Sequence, residues 1–158
     1  ASLTTCEAEV GEMGPAVAAG HITAATYFQS VDSRVNRDCV ARFRAAYGDE
    51  VEPNMCWEAA YFQLHMFARA MRRCGSDEID KLLPHLLGSE FDAPQGLVRI
   101  DPRNHHTRLH PRVGRVGDDG KFSVIAQSPT GVDADPYLVH HVADEWTKRC
   151  LELGDVNG

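Results

Sequence analysis

FDAPQGLVRIDPRNHHTRLHPRVGRV, Phe91 to Val116, is the stretch in which the hydrophobic period changes from helical to two. Leu97–Ile100 and Thr107–Val116 alternate apolar and polar side chains as half-buried strands do, and Lys121–Gln127 repeats the pattern. Gly117-Asp118-Asp119-Gly120, between the last two, is a hairpin signal, because glycine and aspartate supply the backbone conformations of a tight turn. Upstream of these strands the pattern is helical. The order helix, strand, three helices, then hairpin strands specifies an α/β architecture with an antiparallel β-hairpin appendage.

The chain opens with ASLTTCEAEVGEMGP, a loop running into a helix: Thr4 and Glu7 have capping-box spacing, and Gly14-Pro15 is a stop. A chain that starts at a helix cap, with no strand before it, is expected to continue upstream. Ala18–Tyr27 is apolar and β-branched enough for a buried strand. Asp32 or Ser33 then caps a helix with Val35, Cys39, Val40, Phe43 and Tyr47 on one stripe, closed by Gly48. Met55–Cys74, ended by Gly75, is the longest helix, roughly 30 Å at 1.5 Å per residue. It is apolar around most of its circumference and is expected to lie between two layers. Its aromatic start, Trp57, Tyr61 and Phe62, reads as core packing rather than pocket lining. A short helix follows from Ile79, with Pro84 inside it. Beyond the hairpin, Tyr137–Val142 reads as a strand and Trp146 sits in a helical turn.

At 158 residues the chain can bury roughly 70% of its unfolded surface in one core. Its net charge of −7 argues against nonspecific nucleic-acid binding, which needs a clustered Lys/Arg face. No apolar run reaches the ~18 residues that a membrane span requires. The five cysteines are odd in number and widely spaced, without C-x-x-C, and so fit reduced thiols in a cytoplasm better than a disulfide framework.

His105, His106 and His110 look at first like metal ligands. In extended chain His106 and His110 share a face but stand about 13 Å apart, too far for one ion. Zinc also needs Cys or acidic ligands at suitable spacing, whereas the nearest cysteine in sequence is Cys74 and nothing here has finger or zincin spacing. No metal and no cofactor is expected. No G-x-S-x-G elbow, H-E-x-x-H helix or Gly-rich phosphate loop occurs, so no catalytic residue is assigned. The remaining polar cluster is Ser2, Thr4 and Thr5. Hydroxyls and free N–H groups at a helix start can hold a small polar ligand, although ordinary capping accounts for the same residues equally well.

SLTTCEAEV (Ser2–Val10), GHITAATYFQSVDS (Gly20–Ser33), EAAYFQLHMFARA (Glu58–Ala70), the Phe91–Val116 stretch and SPTGVDADPYLVHHVADEW (Ser128–Trp146) fall in order along nearly the whole chain. Together they resemble the amide-binding regulator of the aliphatic amidase operon, a type I periplasmic-binding-protein-like sensor related to urea and short-chain amide transport receptors. The resemblance implies two α/β lobes closing on a small neutral amide or urea. It also implies that this chain is the C-terminal part of such a protein. About 1–19 would belong to the second lobe, about 27–128 to the first, and about 129–158 to a crossing tail. It places the loop Ser2-Leu3-Thr4-Thr5 in the cleft, where hydroxyls suit an amide that needs no counter-charge. It implies a cytoplasmic regulator that restrains an antiterminator protein partner, with no direct contact to RNA. The rival is the exported or lipid-anchored receptor of a urea or amide ABC transporter. Exposed lobe surface would favour a homo-oligomer of the isolated chain.

Overall fold

The computed structural model describes residues 1–136. The expected strand Tyr137–Val142, the turn at Trp146 and most of the 129–158 tail lie outside the described residues. Helices are α1 Glu7–Met13, α2 Pro15–Ala18, α3 Arg34–Tyr47, α4 Met55–Cys74 and α5 Ile79–Leu86. Strands are β1 Ile22–Ala25, β2 Glu90–Ala93, β3 Gly96–Ile100, β4 Thr107–Arg108, β5 Arg112–Val116 and β6 Phe122–Gln127. The fold is mixed α/β, with the strands in two three-stranded antiparallel sheets ordered β1-β5-β6 and β2-β3-β4.

Capping chemistry sets most helix ends where the spacing places them. Ser33 Oγ accepts the Asn36 N–H at 3.0 Å and starts α3. Asn54 Oδ1 accepts the N–H groups of Cys56 and Trp57 at 3.0 and 3.1 Å and starts α4. Gly75 ends α4 in the left-handed region, φ 67°. The start of α1 differs from the expected Thr4–Glu7 box. Its N-cap is Cys6, whose N–H donates to Glu9 Oε2 at 2.8 Å, because Ser2 has already engaged the two residues before it.

Two strand expectations also change. Of Ala18–Tyr27 only Ile22–Ala25 is strand, since Pro15–Ala18 forms a helical turn and Gly20, at φ 81°, redirects the chain. Thr107–Val116 is not one strand. Pro111 has no N–H for a ladder, and here the chain leaves one sheet for the other: β4 pairs β3, whereas β5 pairs β1.

Each sheet has its own apolar centre. Val10 and Ala18 from α1 and α2 pack on Phe28, Val116 and Phe122 against β1-β5-β6. Phe62 and Met66 from α4 pack on Ala93 and Val98 of β2 and β3, with Leu86 of α5 beside them. Fully burying a Phe or Met side chain stabilises by roughly 1.5–3 kcal/mol, so each cluster holds its own layer. The expected two-sided burial of α4 is not seen in this chain. Its buried stripe is Glu58, Phe62, Met66 and Ala70, while Leu64 and Phe67 are 67% and 42% exposed. Among the described residues, β2–β3 and α5 cover one side, and α3 meets a second side only at the start of the helix, where the Phe43 and Trp57 rings lie 5.1 Å apart and Arg42 donates to the Tyr61 hydroxyl at 3.0 Å.

Candidate functional site

The Ser2–Thr5 loop is fixed to the outer edge of β1. The Ser2 N–H donates to Ile22 O at 2.9 Å, and its carbonyl accepts the Ala24 N–H at 3.0 Å and the Thr23 hydroxyl at 2.8 Å. This forms a parallel bridge between Ser2 and Thr23. Ser2 Oγ then accepts the N–H groups of both Thr4 and Thr5 at 3.1 Å and lies 3.4 Å from Thr4 Oγ1. The N–H groups expected to be free at the helix start are therefore taken, those of Thr4 and Thr5 by Ser2 and that of Cys6 by Glu9. What the loop presents is uncharged: Leu3 is 76% exposed, Thr4 is exposed and Thr5 half-buried. Two acids border it: Glu7 turns inward to accept the Gln29 N–H at 2.8 Å, and burial raises its pKa, while exposed Glu9 sets its carboxylate on the Cys6 N–H at 2.8 Å, next to Thr5.

A second polar constellation joins the two sheets, and periodicity did not single it out. Glu58 sits on the buried stripe of α4, 0% exposed; Gln95 in the β2–β3 turn is 1% exposed, and Arg112 at the start of β5 is 8% exposed. Gln95 Nε2 donates to Glu58 Oε2 at 2.8 Å, and Gln95 Oε1 accepts the His110 N–H at 3.0 Å. The Arg112 guanidinium donates to the carbonyls of Thr26, His110 and Gln95 at 2.7, 2.9 and 2.7 Å. Burial pushes the Glu58 carboxyl up to about 7, opposed by the Gln95 hydrogen bonds and the Arg112 charge. The available signal was an acid spaced with Phe62, Met66 and Ala70 on an otherwise apolar stripe. A polar cavity of about 730 Å³ adjoins this group, lined by Ser30, Asp32, Gln95, His110, Arg112 and Gln127 among others. Ser2–Thr5 are not part of its wall.

The histidines serve the backbone. His106 Nδ1 bonds the Asn104 carbonyl at 2.7 Å and His110 Nε2 the Leu97 carbonyl at 2.9 Å, while His105 holds a turn at φ 62°. Asn104, for its part, donates to the Ala134 carbonyl at 3.1 Å. Among the described residues no three His, Cys, Asp or Glu side chains converge as metal ligands would.

The periplasmic binding protein domain family matches residues 1–143. The chain belongs to that family. A relative named limonene hydroxylase, from Geobacillus stearothermophilus, is 30% identical over 132 residues, covering 84% of this chain and 24% of that protein. Leu/Ile/Val-binding protein homolog 6 from Brucella abortus is 30% identical over 108 residues, covering 66% of this chain and 28% of its own length. A solute-binding protein of an ABC transporter from R. palustris, solved with benzoate, superposes with a TM-score of 0.70 at 18% identity, over 80% of this chain and 34% of that one. The periplasmic-binding-protein chain thus spans only 24–34% of the length of these relatives. It shares the ligand-binding fold of ABC-transporter substrate-binding proteins.

Proposed function

We propose that this chain is part of a two-lobe solute receptor of the ABC-transporter type, which closes on a small uncharged polar molecule of the amide or urea class. The two apolar centres would lie in the two lobes, which divides 27–128 between them and joins Val10 and Ala18 to Phe28, Val116 and Phe122, unlike the division that the resemblance implies. The observation that carries the ligand class is the neutral rim of Ser2–Thr5, with Glu7 turned away from it. A hydroxyl both donates and accepts, so Thr4 and Thr5 can meet the NH₂ and C=O of an amide without a counter-ion. A carboxylate on the ligand would find no opposite charge in this loop, and the acid beside it, Glu9, is committed to the Cys6 N–H. Relatives named for Leu/Ile/Val binding and solved with benzoate supply the natural competitors.

The test is a thermal-shift series on the complete gene product with acetamide, butyramide, urea, leucine and benzoate. A bound solute at 100 times its Kd stabilises by ~2.7 kcal/mol. Stabilisation by an amide or urea, lost in Thr4→Val with Thr5→Val, is the expected result. A response to leucine or benzoate alone rejects the amide class.

A second reading, the cytoplasmic amide-sensing regulator with an antiterminator protein partner, is favoured by the thiols. Cys6, Cys39, Cys56 and Cys74 are all unpaired, and Cys56 is exposed, which suits a reducing compartment. An export signal in the complete gene selects the transport receptor. Co-purification of an RNA-binding partner released by acetamide selects the regulator. The uncovered Leu64/Phe67 face of α4 is the surface through which the isolated chain would form a homo-oligomer, and a monomer in sedimentation rejects that.

A further inference from the structure

The chain passes between its two apolar centres twice among the described residues. It leaves the first after Phe28 to enter α3, and it returns after Leu109 to enter β5. One guanidinium holds both passages. Arg112 donates to Thr26 O on the outward passage, to His110 O on the return and to Gln95 O in the β2–β3 turn, at 2.7, 2.9 and 2.7 Å. Gln95 doubles the grip on the return by accepting the His110 N–H at 3.0 Å, and it is anchored to α4 through Glu58 at 2.8 Å.

We propose that Arg112 is the positioning residue of the hinge, clamping the two passages at one spacing and so setting the angle between the two bodies. The proposal rests on the reading that the two apolar centres move as lobes.

The chemistry favours arginine for this task. Three carbonyls from three separate segments are reached by one planar, rigid fork. An ammonium is a compact point charge on a flexible stem and cannot hold the same three acceptors at fixed angles. A buried cation is costly unless paired or fully hydrogen-bonded. Here the three carbonyls partner both terminal nitrogens, leaving only Nε without a hydrogen bond, and Glu58 stands behind Gln95 without a direct ion pair that would draw Arg112 off the passages. The outward passage is further pinned to α3: Asn36 Nδ2 donates to the Gln29 and Val31 carbonyls at 2.9 and 2.7 Å, and its Oδ1 accepts the Tyr27 hydroxyl at 2.9 Å. Motion between the bodies is thereby concentrated at Thr26 and His110, the two points that Arg112 bridges.

The experiment reads distances without any ligand, in the complete gene product carrying Cys56→Ser, Cys74→Ser and Cys150→Ser. Spin labels at Glu12→Cys on α1 and Arg72→Cys on α4 report across the hinge. Labels at Glu12→Cys and Asp118→Cys report within one body. Arg112→Lys is compared with the parent, and Gln95→Met, which leaves the guanidinium in place, is the second variant should the first fold poorly. The expected result is a cross-hinge distance that shifts and broadens in either folded variant while the within-body distance stays unchanged. A cross-hinge distance unchanged in a folded variant overturns the clamp. So does equal broadening of both distances, which would make Arg112 an ordinary packing residue. Failure of every solute to stabilise the parent protein would withdraw the receptor reading separately, since the distance measurements use none.

Discussion

Replacing Glu58 by Gln tests the electrostatics of the buried junction. In the native chain the Glu58 carboxyl is 0% exposed, and desolvation raises its pKa from 4.5 to about 7. Between those values the folded protein keeps a proton that the unfolded chain has released. The stability this contributes is fully present below pH 4.5 and is lost as the pH rises through about 7. At 1.36 kcal/mol per pKa unit, the whole swing is about 3 kcal/mol. Glutamine copies the shape of the protonated carboxyl and does not titrate. Glu58→Gln should therefore match the parent near pH 4.5 and exceed it by about 3 kcal/mol at pH 8. Urea unfolding of both proteins at intervals from pH 4.5 to 8 measures the difference, in which distant titrating groups cancel. Arg112 is the titratable group that shares the network with Glu58, since His110 enters it only through its backbone N–H and carbonyl. If Glu58 were ionised throughout and balanced by Arg112, its removal would leave a buried cation uncompensated. The variant would then be less stable at every pH, by roughly 3–5 kcal/mol, and that result refutes the reasoning.

Three further outcomes follow from the packing and the thiols. Phe62→Ala opens a cavity between α4 and the β2–β3 layer, where Phe62 is 3% exposed, and should cost roughly 3–5 kcal/mol in urea unfolding. Gly114→Ala would place a Cβ 2.6 Å from Phe28 Cζ, at the β5 bulge; overpacking there should cost roughly 1–3 kcal/mol, and a Tm equal to the parent's would contradict the contact. Exposed Cys56 should react first with Ellman's reagent, as located by mass spectrometry. Cys6, whose thiol burial and the Glu9 contact push up to about 11, should react only on unfolding.

Local chemistry made the helices legible. Asn54 and Gly75 bound α4 because a side-chain oxygen and a left-handed glycine act within a few residues of themselves. The Gly117–Gly120 turn was legible for the same reason, and β5 and β6 pair across it. What spacing could not show was partnership. Thr107–Val116 carries a continuous alternation, yet its halves join different sheets. Period two records only that alternate side chains point the same way. It does not record which neighbour supplies the ladder. Pro111 was the local hint, and its meaning depended on β1 standing ready to pair with β5. The start of α1 failed in a related way: Thr4 and Cys6 both precede acids by three residues, and the choice fell to Cys6 once Ser2 was pinned to Ile22.

The same limit governs the functional residues. Ser2, Thr4 and Thr5 drew notice because hydroxyls cluster at a helix start. The fold then changed what that cluster offers, spending the Thr4 and Thr5 N–H groups on Ser2 and leaving a neutral hydroxyl rim rather than a nest of donors. A donor nest would favour an anion, whereas a hydroxyl rim that both gives and accepts favours an amide. Glu58, Gln95 and Arg112 were invisible as a set because 37 and 17 residues separate the successive members. Each has a bland local reading, and only the crossing of two sheets at one point makes them a unit. That crossing also gathers the three carbonyls that make a buried cation tolerable. Its three carbonyl partners come from the segments that must stay together if two bodies are to move as one pair.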